Sequence, residues 1–192
     1  MKISMCITLA CLALLSGCST LDEQECRSVD WYQLGIQDGQ QGKLADLFDE
    51  HKESCKRYGI LPDRSQYLDG RNVGLSEYCQ LGNAFRTGMN GEEYKGACPL
   101  DVDMKFRRYN AAALEVYNSR KRIGDIDGQI SKKEKGLDKK DITEKEKLQL
   151  LEEIVKLDRK RDRMRSDLHN QERVLDLLMN EASYRGERRR KY

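Results

Sequence analysis

The chain has few histidines and lacks the motifs that mark most enzyme active sites and metal sites. It contains two histidines, His51 and His169, and they form no ligand pair of the His-x-x-x-His kind. No serine lies in a nucleophile elbow, and the glycines at 35, 39 and 42 lack the spacing of a phosphate-binding loop. We therefore expect no catalytic residue, no metal and no cofactor. Both histidines should be structural or solvated, with His51 on the surface.

Proline and aromatic residues are also scarce, and this restricts the fold class. The chain has 2 prolines and 7% aromatic residues, whereas 35% of its residues are charged. Few helix breakers and many charges are typical of long solvated helices, so we expect an all-α protein. The formal net charge is +2. Since so small a charge creates no strong positive field, we expect no nucleic-acid partner.

The N-terminus has the pattern of an export signal. Lys2 precedes an apolar stretch over residues 3–15, and Ser16-Gly17-Cys18 follows it. This arrangement resembles the lipobox of bacterial lipoproteins, in which the cysteine is acylated and becomes the first mature residue. The alternative is a soluble export signal with a chance cysteine. In the Gram-negative sorting pattern, Ser19 implies the outer membrane, on the side facing the periplasm.

Seven cysteines are present, and three of them belong to the N-terminal signal and lipobox. The four that remain are Cys26, Cys55, Cys79 and Cys98. In an oxidising compartment, four cysteines without a Cys-x-x-Cys pair favour two disulfides, for which three pairings exist.

Residues 31–99 read as a small disulfide-bonded helical domain. Capping residues and glycines predict helices over residues 31–41, 44–58 and 63–78, followed by a short helix and a loop. The link around Gly42 is short, so the first two helices should be antiparallel and bring Cys26 close to Cys55. We therefore predict the pairs Cys26–Cys55 and Cys79–Cys98.

Aromatic residues precede glycine pairs three times in this domain. Glycines four residues apart leave bare backbone on one face of a helix, which favours close packing of another helix or of a ring. The alternative is a shallow ligand groove lined by Trp31, Tyr67 and Tyr78.

Two heptad series follow, and they predict an antiparallel coiled-coil hairpin over residues 100–182. Thr143 and Glu146 read as a capping box that opens its second helix. Arg120, Asp127, Arg161 and Gln171 occupy seam positions, where polar residues can fix the register. The alternative is a pair of frayed surface helices. Residues 183–192 read as a basic tail, either disordered or in contact with anionic cell wall or lipid headgroups.

Three blocks within residues 26–99 resemble a family of bacterial lipoproteins, the domain of unknown function 2799. The first block contains Asp30-Trp31-Tyr32 with Asp38-Gly39. The second contains Tyr67-x-x-Gly70, and the third contains Asn83-x-Phe85-Arg86-x-Gly88. The resemblance implies an envelope lipoprotein with a helical domain, and it implies no activity.

These observations together predict a signal peptide over residues 1–17 and a lipidated Cys18 with a polar tether over residues 18–30. The disulfide-bonded domain, the hairpin and the basic tail follow. We expect a membrane-anchored, non-enzymatic protein that binds an envelope protein or peptidoglycan. The alternatives are an aromatic-lined domain that binds a small ligand or peptidoglycan fragment, and an unrecognised enzyme. An exposed apolar stripe on the hairpin would favour the first function, and a pocket beside Trp31 would favour the second.

Overall fold

The computed structural model describes residues 20–189, with side chains described as far as Ser183. The predicted signal, Cys18 and Ser19 lie outside the described residues. The described part of the chain is all-helical, as predicted. Its helices are α1 Glu23–Ser28, α2 Trp31–Gln40, α3 Leu47–Lys56, α4 Arg64–Tyr78, α5 Leu81–Met89, α6 Leu100–Leu137 and α7 Glu144–Arg189.

The chain divides into two compact units, unit 1 (Met1–Glu77) and unit 2 (Tyr78–Tyr192). The sequence placed this boundary after residue 99, at the start of the hairpin. The difference arises because α5 and the loop after it pack on α6, so the second disulfide belongs to unit 2. A heptad pattern shows that one face of α6 is buried, but it does not show that a short helix covers part of that face.

Local capping explains where the helices of unit 1 begin and end. The Asp30 carboxylate accepts hydrogen bonds from the backbone N–H groups of Tyr32 and Gln33 and so caps α2. Asp63 accepts from the N–H groups of Ser65 and Gln66 at the start of α4. After α2 and α3 the chain turns at Gly42 and Gly59, which have φ angles of 67° and 72°. These positive angles favour glycine, which has no Cβ to clash.

The segment predicted as a polar tether is a folded part of unit 1. Asp22 and Glu25 form a capping box at the start of α1. Leu21 and Cys26 are buried in a cluster with Cys55. This burial was not predicted because residues 19–30 are mostly polar, and only Leu21 and Cys26 among the described residues of the segment are buried.

Unit 2 begins with aromatic packing between its helices. Phe85 of α5 stacks on Tyr109 of α6, with 4.8 Å between ring centroids. Phe106 packs against Tyr78 and Tyr94, with centroids 5.2 and 4.6 Å apart. These contacts hold α5 and the loop 90–98 on the first turns of α6.

Helices α6 and α7 form an antiparallel hairpin whose turn ends at the predicted capping box of Thr143 and Glu146. Arg161 of α7 lies 3.3 Å from the Asp127 carboxylate of α6, and Gln171 donates to Glu115 at 2.9 Å. Such partly exposed pairs contribute only about 0.5 kcal/mol each, so they act mainly on register. Arg120 is exposed on the flank of the seam, where it pairs with Glu172.

Helix α7 continues through Arg189, into the residues that the sequence assigned to a separate basic tail. Residues 180–189 contain no proline, and their glutamate and arginine residues are good helix formers, so helix propensity favours continuation. The predicted tail 183–192 is therefore helical in its first seven residues, 183–189, and its last three residues lie outside the described ones.

Candidate functional site

Helices α2 and α4 of unit 1 cross with their backbones in direct contact. A Cβ atom placed on Gly35 would lie 2.1 Å from the carbonyl oxygen of Tyr67, and one on Gly74 would lie 2.1 Å from that of Ile36. Gly39 and Gly70 meet backbone atoms at similar distances. The predicted packing role of these glycines is therefore the one that the structure shows, and they bring Asp38 and Tyr67 within reach of each other.

A buried polar network forms beside this crossing. The hydroxyl of Tyr67 donates to Oδ2 of Asp38 at 2.8 Å, and Nε2 of His51 lies 3.0 Å from the same oxygen. All three side chains are buried. Burial and the hydrogen bond to Asp38 raise the pKa of Tyr67 well above its ordinary value. The phenol therefore stays protonated and remains a donor to the carboxylate.

The network extends to the first described residue of the chain. Nδ1 of His51 lies 2.9 Å from Oγ1 of Thr20. The Thr20 backbone N–H donates to the hydroxyl oxygen of Ser54 at 3.2 Å, and the two hydroxyl oxygens are 3.1 Å apart. Ser54 in turn donates to the carbonyl of Glu50 in its own helix. Thr20 is thus fixed to α3 by its backbone and its side chain.

His51 is buried, and the prediction that it lies on the surface is wrong. Its neighbours in sequence are charged, which suggested a solvated position. However, Phe48 and Cys55 lie three residues before and four residues after it, and both are buried. This spacing places all three on one face of α3, and it is the signal that could have found His51.

A hydroxyl, an imidazole and a carboxylate in this order also occur in nucleophile triads. Here the hydroxyl of Thr20 meets Nδ1 and the carboxylate of Asp38 meets Nε2, which is the reverse of the serine-protease arrangement, and the carboxylate is shared with Tyr67. Each partner is an element of the core: α2 supplies Asp38, α3 supplies His51 and α4 supplies Tyr67. The arrangement ties three helices and the N-terminal segment together, which is a positioning role.

Each of the three candidate ring residues packs against other side chains of its own unit. Tyr67 is fully buried and packs on Phe48, with 5.2 Å between ring centroids. Trp31 is half-buried against the cluster of Leu21, Cys26 and Cys55. Tyr78 belongs to unit 2, where it stacks on Phe106. Each ring therefore has a packing partner within its own unit.

The cysteines pair as predicted. Cys26 bonds Cys55, and Cys79 bonds Cys98, with Cα atoms 5.5 and 5.6 Å apart. The first bridge joins α1 to α3, and the second ties the end of α4 to the loop before α6. The predicted lipidation site, Cys18, lies outside the described residues.

Unit 2 carries a polar hub and an open groove. The Asn110 side chain is buried, accepts from the N–H of Tyr94, and donates to the carbonyl of Glu92 and the hydroxyl of Thr87. A groove of about 700 Å³ runs along α6 beside this hub. Its charged lining residues include Arg107, Arg122 and Asp125.

The described residues contain neither a metal-binding cluster nor a membrane-spanning helix. Within residues 20–189, no cluster of three or more His, Cys, Asp or Glu side chains is arranged to hold a metal ion. Over the same residues, no helix is both long enough and apolar enough to cross a bilayer.

Comparison with known protein families gives one match, over part of the chain. The family model described as protein of unknown function (DUF2799) matches residues 30–114. This range starts at the Asp30 cap of α2, contains the glycine crossing with Asp38, His51 and Tyr67, and ends within α6. No curated protein and no solved structure matches the chain.

Proposed function

Because residues 30–114 match the family model of the DUF2799 proteins, we propose that the protein is a non-enzymatic envelope lipoprotein whose hairpin binds another envelope protein. In this proposal Cys18 is acylated and holds the chain on the outer membrane, facing the periplasm. The support for the anchor is the sequence around Cys18, and the support for the binding role is the surface of α7.

An exposed apolar stripe on α7 carries the binding proposal. The stripe consists of Leu148, Leu151 and Val155, whose side chains are exposed. Spacings of three and four residues place them on one face of the helix. The seam residues Ile154 and Leu157 are half-buried, so the stripe lies apart from the side that packs on α6. Exposed apolar side chains grouped in this way on a charged helix favour a protein partner.

Photo-crosslinking in the intact envelope tests the binding role. A photoreactive amino acid at Leu151 should capture a partner, whereas one at Gln149 should not. Gln149 is also exposed, and it lies about 160° around the helix from Leu151 at about 100° per residue. Equal capture at both positions, or none at Leu151, would contradict the proposal.

The anchor has its own test. Cys18→Ala should leave an unprocessed precursor that carries no acyl chain. Palmitate labelling and membrane fractionation measure this directly. Unchanged labelling in the variant would show that Cys18 is not the anchor.

A second candidate function follows from the groove of unit 2. Its lining presents both arginine and carboxylate side chains around Tyr94. Such a surface suits a small ligand with charges of both signs, and a peptidoglycan fragment is one. Calorimetric titration with a muramyl peptide tests this, with Arg122→Ala as the variant that should weaken binding. Equal affinity in the variant, or no heat at all, would remove the groove from consideration.

A further inference from the structure

Thr20, the first described residue, is already part of the folded unit 1. Thr20 is hydrogen-bonded to His51 and Ser54. Leu21 is buried, and Cys26 is bonded to Cys55. A chain spans at most about 3.6 Å per residue, so the two-residue step from Cys18 to Thr20 can cover no more than roughly 7 Å in any conformation.

This distance is short compared with the lipid headgroup layer. A bilayer has a hydrocarbon core of about 30 Å and a total thickness of about 40–45 Å, so the headgroup layer of one leaflet is roughly 5–8 Å thick. An acyl chain on Cys18 lies in the hydrocarbon, which places Thr20 at the level of the headgroups or just above them. Unit 1 cannot move further from the surface unless its N-terminal segment unfolds.

The part of unit 1 next to Thr20 has side chains suited to this position. Trp31, Tyr58 and Ile60 pack against the cluster that contains Leu21. The next residue, Leu61, is 79% exposed. Tryptophan and tyrosine are enriched where a membrane meets water, because their rings have an apolar body and a polar end. An exposed leucine beside them adds apolar area on the same edge.

We propose that unit 1 lies directly against the phospholipid surface that holds the acyl chains, with the edge from Thr20 to Leu61 in the headgroup layer. This inference rests on the proposed acylation of Cys18. The hydrogen bonds of Thr20 to His51 and Ser54 are what hold the unit at this distance.

Trp31 is the one tryptophan of the chain, and it reports on this edge. The mature acylated protein is reconstituted into phosphatidylethanolamine and phosphatidylglycerol vesicles that contain a dansyl-labelled headgroup. Efficient energy transfer from Trp31 to the dansyl group is expected. A flexible Gly/Ser insertion of about 16 residues between Ser19 and Thr20 adds roughly 22 Å of root-mean-square reach, and most of the transfer should then be lost.

A second probe reads the edge itself. Leu61→Trp in a Trp31→Phe background should be quenched by a spin label on the lipid headgroup, and the same insertion should relieve the quenching. The inference is wrong if the acylated, membrane-bound protein shows weak transfer, or if the insertion leaves the transfer unchanged. Either result would leave the proposed anchor intact. Protein without an acyl group on Cys18 would overturn both, and mass spectrometry of the N-terminal peptide distinguishes the two cases.

Discussion

Gly35→Ala should destabilise unit 1, because it places a methyl group between two helix backbones. The new Cβ would lie 2.1 Å from the carbonyl oxygen of Tyr67 and 2.9 Å from the backbone nitrogen of Arg71. Ordinary van der Waals contact begins at 3.4 Å. Both neighbours are backbone atoms of α4, so no side-chain rotation can relieve the clash. Helices α2 and α4 must therefore move apart by more than 1 Å, the difference between the 2.1 Å contact and the 3.4 Å of ordinary contact.

Two opposing effects determine the size of the change. Alanine is better than glycine in a helix by about 1 kcal/mol. Overpacking a tight contact costs about 1–3 kcal/mol, and sometimes more. The cost should be at the upper end here, because separating the helices also strains the hydrogen bonds of Asp38 to His51 and Tyr67. The expected result is a net loss of about 2 kcal/mol, or roughly 10 °C in the melting temperature of a unit this small.

Urea unfolding followed by Trp31 fluorescence measures the stability of unit 1, since Trp31 packs against its Cys26–Cys55 cluster. Gly124→Ala is the matched control. Gly124 lies in α6, and a Cβ there would meet nothing within 4 Å. This control should gain about 0.5–1 kcal/mol in circular dichroism unfolding, because only the helix propensity changes. If Gly35→Ala were as stable as the parent protein, the close backbone crossing would be wrong.

Two further predictions concern unit 2. Leu175→Ala should cost about 2–4 kcal/mol of hairpin stability because Leu175 is buried, whereas Leu177→Ala, at an exposed neighbour, should cost little. Thermal unfolding followed by circular dichroism compares the two variants. Equal losses of stability would contradict the burial of Leu175 between α6 and α7. Burial and its hydrogen bond to Asp103 raise the pKa of Tyr94 from 10.0 to about 12. The neutral phenol therefore contributes stability that is complete below pH about 10 and is lost as the pH rises towards 12. Tyr94→Phe should reduce the fall in unfolding free energy over this range, and an unchanged slope would refute this account.

The parts of the fold that the sequence predicted depend on local chemistry. Asp30 and Asp63 mark helix starts because the carboxylate of an N-cap residue accepts from backbone N–H groups two or three residues ahead. Gly42 and Gly59 mark the ends because positive φ angles favour glycine. Since both signals act within a few residues, they can be read from the sequence without knowing how the helices pack. The disulfide pairing then followed from the short link between two antiparallel helices.

The parts that the sequence missed depend on contacts between distant residues. Thr20, Asp38 and His51 meet across separations of 13 and 31 residues, and no local pattern records such a meeting. The division after Glu77 was missed for a related reason. A heptad pattern indicates that one face of α6 is buried, but it does not indicate whether α5 or α7 covers that face.

The polar network at Thr20 and the apolar burial of Leu21 hold the N-terminal segment in different ways. Burial of a leucine is stabilising in any orientation that keeps it away from water. The contacts of Leu21 would therefore tolerate a shift of the chain along the cluster. Hydrogen bonds to His51 and Ser54 have fixed lengths and directions, and a shift would leave buried polar groups unpaired at about 1–3 kcal/mol each. The network therefore specifies where Thr20 lies. If Cys18 is acylated, as we propose, the side-chain contacts of Thr20 would also give unit 1 a defined orientation on the membrane.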